Sequence, residues 1–426
     1  MPNVFQPQNS SIMRISIKNI PFYLLCLTIP FENTSLASIG GVFTAPLSFL
    51  LVPFFLTYII YKAKSLNKSS FFIIKYIFFM IIYSLAVLFF YIDEYDMYFL
   101  VDRGIRFLLL TIPLITVFII GSMQTEEVMK KGIYITFSVV MLSFFINLLV
   151  PDLINNTSFI QYSSALSVDR MRGFTLEASN FGFQFVLIFL MFLAAKKLNN
   201  LIFIPIIILT CLLITSKGSI IGFMVAIGIT FAFFSKTHPA FKIILAFIFS
   251  ILIFYFLQLT LEDTITRDIE KYNSIATRST VILTSLITLV TNPFGAGFFG
   301  YLPSIYENGH TAMDIMNSLF PGDLNFSEFT QYLIVGQTDG VSTKSFFFDW
   351  LIYGGLVFLY FYIKFVFRLL KVFIITNSKL EFTVLIFLML STMFFISIET
   401  RYIAALALSF LYLRYNSLAK DHQKNA

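Results

Sequence analysis

The chain has little charge and few of the side chains that usually do chemistry. Of 426 residues, 12% are charged, three are histidine, two are cysteine and one is tryptophan. A soluble globular domain carries about 25% charged residues, so water is not the main solvent here. The cysteines, Cys26 and Cys211, both lie within apolar runs, which argues against a disulfide framework and against a cysteine-based zinc site. No cluster with metal-ligand spacing is visible, and the acidic run Asp93-Glu94-Tyr95-Asp96 reads as a solvated turn. Neither a metal nor another cofactor is expected. No internal repeat is detectable, which weakens the case for a transporter built from two related halves.

Apolar length is what the chain has instead. Hydrophobic residues make up 58%, phenylalanine alone accounts for 55 positions, and the mean hydropathy is +0.85. Long apolar runs recur from end to end, as expected of one polytopic helical domain over residues 1–426. With spans of ~17–25 residues, about twelve are counted. The first, Ile17 to Phe31, follows Arg14 and Lys18 and lacks a small-residue cleavage site, so it reads as a retained helix. A ninth is expected near Ile243 to Thr260, and a tenth over Ser345 to Phe365. Two larger outer loops interrupt the pattern, at residues 151–180 and 261–345. A connection of some eighty residues exceeds the usual length and favours a functional role. Within it, Ser279 to Val290 is apolar with helical periodicity, as for an interfacial or re-entrant helix.

Charge is sorted by side. Threaded with both termini in the cytoplasm, 16 of 19 lysines fall on the inner side, whereas 7 of 10 arginines and 19 of 23 acids fall on the outer side. The net charge of +6 therefore sums opposite imbalances and is not a nucleic-acid signal. Lysine inside is the ordinary topological bias. Arginine outside is not required by topology, and its planar fork suits phosphate. The distribution points to an anionic, phosphorylated substrate handled at the outer face.

Several outer segments carry candidate residues. Arg170-Met171-Arg172-Gly173-Phe174-Thr175-Leu176-Glu177 precedes the sixth span. Its two arginines can approach one anion from an extended segment, and Glu177, at the interface, is a candidate base. The plainer reading is an Arg–Glu pair that holds the loop to the helix end. Thr215-Ser216-Lys217-Gly218-Ser219 is a hairpin tip, where Lys217 either meets a phosphate at a helix N-terminus or snorkels to water. Arg278 precedes Asn292-Pro293-Phe294-Gly295-Ala296-Gly297-Phe298-Phe299-Gly300. No βαβ unit surrounds these glycines, so they are not a dinucleotide site. They read as a flexible turn presenting backbone N–H groups near the membrane surface, with Arg278 above it. His310 is the outer histidine and a second candidate base, or a surface residue. Arg103 and Arg401 are either phosphate ligands or partners for neighbouring acids such as Asp102 and Glu399, and Arg106 reads as structural.

The order of these segments resembles the O-antigen polymerase and ligase superfamily. The resemblance rests on Ile29-Pro30-Phe31, on Arg172-Gly173-Phe174 with Glu177, on Thr215 to Ser219, on Arg278 with the Asn292 to Phe298 run, and on Lys344-Ser345-Phe346-Phe347-Phe348-Asp349 ending in Gly354-Gly355. Ligases of this superfamily typically carry a His-Asn-type pair where Lys344-Ser345 stands, which favours the polymerase. The resemblance implies a GT-C-like, all-α membrane fold in a bacterial inner membrane. It also implies substrates on undecaprenyl pyrophosphate and a separate chain-length regulator as partner. The expected reaction joins oligosaccharide units at the periplasmic face. Glu177, with His310 second, would accept the hydroxyl proton. Arg170, Arg172, Arg278, Lys217, Arg103, Lys344 and Arg401 would hold pyrophosphate and glycan. A ligase acting on lipid A-core and a flippase or transporter are the alternatives.

Overall fold

A computed structural model describes residues 16–34, 46–158, 161–165, 170–198, 203–238, 242, 274–321, 324–338, 340–397 and 399–425. Among the described residues the chain is helical and contains no strand. The ninth span expected from the sequence falls outside them, as does the start of the second large loop.

The first helices are α1 (Ile20–Thr28), α2 (Val52–Tyr61), α3 (Lys68–Tyr91), α4 (Met97–Ser122) and α5 (Glu126–Leu149). A short α6 (Pro151–Asn155) opens the first large loop, followed by α7 (Ala178–Lys196), α8 (Phe203–Ile214) and α9 (Lys217–Phe234). The second large loop contributes α10 (Ser274–Thr291), α11 (Tyr301–Leu319) and α12 (Ser327–Tyr332), and the chain closes with α13 (Phe346–Ile375), α14 (Lys379–Phe394) and α15 (Tyr402–Asn425). Side-chain caps set several boundaries. Asn67 accepts from Ser70 N at 2.7 Å, and Asp96 from Tyr98 N at 2.8 Å. Thr125 caps α5, with Glu126 and Glu127 in its first turn against the positive helix end.

Five described helices, α3, α4, α5, α7 and α9, are long and apolar enough to cross a bilayer on their own. Helices α1, α2 and α8 are shorter, at 9, 10 and 12 residues. Helix α13 is long but broken at Gly355, whose φ of 51° is non-helical. The outward faces are greasy: Phe54, Phe78, Phe79, Phe89 and Phe90 are all more than half exposed. Surface of that kind suits hydrocarbon, and the chain is an all-helical membrane protein. Helix α3 lies at the periphery, whereas α7 is buried along almost its whole length. Around α7 pack α5, α8, α9, α14 and α15, forming one apolar core. A second core joins α10, α11, α12 and the first half of α13 to α3 and the start of α4.

The break in α13 is filled by the glycine turn. Ala296 N donates to Ile352 O at 2.7 Å, Gly297 N to Tyr353 O at 3.0 Å, and Leu356 N returns a bond to Pro293 O at 2.8 Å. Three backbone groups at the kink thus find partners in the glycine turn, as backbone in an apolar surrounding requires. The N–H groups of Ala296 and Gly297 are committed to the broken helix, those of Gly295 and Gly300 to the turn itself and that of Phe298 to Ser84 Oγ, which corrects the expectation that they face a ligand near the surface. Gly295 and Gly355 both have positive φ, and a Cβ on Gly355 would collide with Pro293 O.

Candidate functional site

The helix ends gather polar groups at one end of the bundle. Glu32 N donates to Phe174 O at 3.0 Å, tying the segment after α1 to the loop before α7. Arg170, exposed, reaches the hairpin between α8 and α9, donating through Nε to Thr215 Oγ1 and through Nη2 to Thr215 O, each at 3.1 Å. Ser216 beside it packs on Gly182 of α7, and Gly218 faces the Phe395 ring after α14. Arg278 Nη1 lies 3.4 Å from Phe394 O on that same turn. Glu177, exposed as the N-cap of α7, is within electrostatic reach of Arg278. One rim thus carries Arg170, Lys217, Glu177 and Arg278.

Behind Arg278 stands Glu328 of α12, which the sequence reading missed. It accepts from Thr277 Oγ1 at 3.2 Å and forms an ion pair with Lys344, whose left-handed φ of 56° turns the chain into α13. Arg278 keeps its Nε buried without a hydrogen-bond partner. A guanidinium partly sunk in protein with an open N–H is a costly arrangement unless something completes it.

A deeper, buried polar cluster lies past Tyr332. Asp349, in the first turn of α13, is fully buried and accepts from Tyr301 Oη and from Thr343 N, the latter at 3.0 Å. Arg103 of α4 sits 5.9 Å from the centre of the Tyr301 ring, within electrostatic reach of Asp349, Tyr353 and Glu399. The rings of Tyr301 and Tyr353 stack at 4.7 Å. Tyr332 is within electrostatic reach of Glu328 on one side and of Arg103 and Asp349 on the other.

The remaining predicted residues lie elsewhere. Arg172 is 2% exposed, and its guanidinium binds carbonyls: Nη2 to Ile154 O at 2.7 Å and to Ser163 O at 2.8 Å, Nε to Ile154 O at 3.2 Å. The backbone N–H groups of Arg172 and Gly173 both donate to Asn147 Oδ1, at 2.9 Å each. Instead of facing a ligand at the surface, Arg172 braces the first large loop through Nε and Nη2, while its Nη1 is buried with no hydrogen-bond partner. With no carboxylate opposite, burial pulls its pKa down. Arg401 Nε lies 3.3 Å from Glu32 Oε2, though off hydrogen-bond alignment. Glu32 also accepts from Gln184 at 3.3 Å, and burial pushes its pKa up to about 7 despite Arg401. His310 is exposed on α11 with its ring edge-on to Tyr306. Arg106 pairs with Asp102 at 3.0 Å, one turn away on α4.

Comparison with known proteins gives one long match. An uncharacterized 49.5 kDa protein in the cps region of Klebsiella pneumoniae is 35% identical over 419 residues, covering 97% of this chain and 95% of that protein. No family model matches the chain. No solved structure matches it. Identity at that level over nearly the full length of both chains means a shared fold and descent, and the chain belongs to the family of that cps-region protein.

Proposed function

We propose that the chain polymerises oligosaccharide repeat units carried on undecaprenyl pyrophosphate into a surface polysaccharide, as a metal-independent membrane glycosyltransferase. The observation that carries this reading is the rim: Arg278 with an open, buried Nε, next to Glu177 and the Lys217 hairpin tip. The relative's location in a cps region, a capsular polysaccharide locus, supports surface polysaccharide synthesis.

In the proposed step a sugar hydroxyl of one unit attacks the anomeric carbon of a chain held on a second carrier. The new C–O bond forms as the bond from that carbon to pyrophosphate breaks, and the electron pair leaves with the pyrophosphate. The hydroxyl proton passes to the Glu177 carboxylate. The leaving group needs charge stabilisation rather than a proton, which Arg278, Lys217 and Arg170 supply from fixed positions. Two lipid-linked substrates must be aligned, so much of the rate comes from positioning. The rim would face the periplasm, with both termini cytoplasmic and about twelve spans in all, and a separate regulator would limit chain length.

The test is reconstitution. Purified protein given only lipid-linked repeat units is expected to yield a ladder of polymers, and Arg278→Ala to reduce it ~100-fold or more, the size seen when one transition-state donor is lost. A strict requirement for lipid A-core would make the protein a ligase. Movement of the units between leaflets without covalent change would make it a transporter.

A further inference from the structure

One carboxylate bridges two cation-bearing segments of the rim. Thr277 Oγ1 donates to Glu328 Oε2 at 3.2 Å, and Lys344 Nζ forms an ion pair with Glu328 Oε1. The two oxygens of a single side chain thus join the residue before Arg278 to the residue that turns the chain into α13. Both segments are anchored on a third element. Arg278 Nη1 lies 3.4 Å from Phe394 O, and Ser345 Oγ, next to Lys344, donates to Met393 O at 2.7 Å. The chain at Arg278 and the chain at Lys344 therefore meet consecutive carbonyls at the end of α14.

The donors gathered around Glu328 suit a phosphate: an ammonium and a hydroxyl, with the next residue a guanidinium whose Nε is buried without a partner. An ionised carboxylate is also an acceptor-only anion, so Glu328 satisfies the same donors from within the chain. The Lys344 and Glu328 side chains are 30% and 32% exposed, so solvent and an arriving ligand both reach the pair. An ion pair that exposed contributes little to stability and is readily exchanged. The backbone beneath it is held independently, since Phe329 is 0% exposed and packs against Gly309 of α11. The Glu328 side chain can turn away without moving α12.

We propose that Glu328 is a built-in competitor for the pyrophosphate: it neutralises Lys344 in the free protein, gives Lys344 up when the carrier binds, and takes it back as the spent carrier leaves. The inference rests on the polymerase reading and adds a residue that the bond-making step does not use. Each round of joining must release one undecaprenyl pyrophosphate, and a rim of uncompensated cations would retain it. A carboxylate that returns to Lys344 lowers the apparent affinity by the share of molecules in which Lys344 is held.

Full-length protein in detergent is titrated with undecaprenyl pyrophosphate without sugar. Glu328→Gln keeps the size of the side chain and still accepts from Thr277, but removes the charge. It is expected to bind the carrier about fivefold tighter or more, whereas loss of a merely structural carboxylate gives equal or weaker binding. Glu328→Ala is expected to move in the same direction. Lys344→Gln is expected to weaken binding about fivefold, and adding Glu328→Gln to it to restore less than about twofold, because the competitor acts through Lys344. In reconstituted polymerisation, Glu328→Gln is expected to lower KM and kcat together, as slower product release does. Equal or weaker carrier binding in both Glu328 variants overturns the inference and leaves the polymerase reading standing. If the wild type binds no carrier, the polymerase reading falls and the inference with it.

Discussion

The two ends of the bundle use arginine in opposite ways. At the lysine-rich end, Arg414 donates through Nε to Glu381 Oε1 at 2.9 Å and lies 2.8 Å from it through Nη2, while Nη1 reaches Glu126 Oε2 at 3.3 Å. One guanidinium thus ties α5, α14 and α15 together, its charge opposed by two carboxylates inside the protein. At the other end Arg278 and Arg103 each keep a buried Nε with no partner. A balanced arginine is a fastener. One that keeps a nitrogen open at the partly exposed rim, as Arg278 does, has been placed for something that arrives later, whereas the open Nη1 of Arg172 is sealed inside the loop.

The largest effect expected from this contrast is on a fastener within the site end. Arg172→Ala leaves the carbonyls of Ile154 and Ser163 buried without donors, a cost of about 2–4 kcal/mol. Little folded protein is expected, read as loss of the monodisperse peak in fluorescence-detected size exclusion. If Arg172→Ala is instead well folded and merely inactive, Arg172 is a ligand and the contrast breaks. Next, Gly355→Ala places a Cβ against Pro293 O at a left-handed position, and a loss of thermal stability of several degrees is expected. Gly336→Ala, also at a positive φ but with nothing within 4 Å of its Cβ, separates the backbone strain from the collision and is expected to cost less.

A smaller effect comes from Glu32. Its folded pKa, about 7, lies above its ordinary 4.5, so between those values the folded state holds a proton that the unfolded state has released. Stability therefore falls as pH rises through that window and levels off above it. Glu32→Gln is expected to flatten that part of the thermal-stability profile; an unchanged slope would place the titration elsewhere. The smallest effect is at His310, exposed on α11, where His310→Ala is expected to leave polymer yield within about twofold.

Which of this was readable beforehand follows from the physics of each residue. The bias of lysine toward one set of loops was readable because membrane insertion imposes it, whereas the opposite bias of arginine has no such cause and pointed to the other end. The Thr215 to Ser219 tip and Glu177 were visible as polar interruptions next to apolar runs. Arg172 was visible but misjudged, since a sequence does not tell whether a guanidinium faces a ligand or a backbone carbonyl. Asn147, which fixes the backbone of Arg172, lies 25 residues away on α5. Glu328, Tyr332 and Tyr301 were missed. They sit in a long polar loop, and only the fold brings them near Arg103 and Asp349. The break in α13 was hidden as well, because Gly354-Gly355 reads equally as small residues in a helix.

The central claim is that an open guanidinium at the rim binds the lipid pyrophosphate, whereas the balanced one at the far end does not. The direct measurement is the affinity of purified protein for undecaprenyl pyrophosphate in wild type, Arg278→Gln and Arg414→Gln. The account predicts a loss of at least tenfold in Arg278→Gln and wild-type affinity in whatever Arg414→Gln protein folds. Equal affinity in Arg278→Gln and wild type would contradict it.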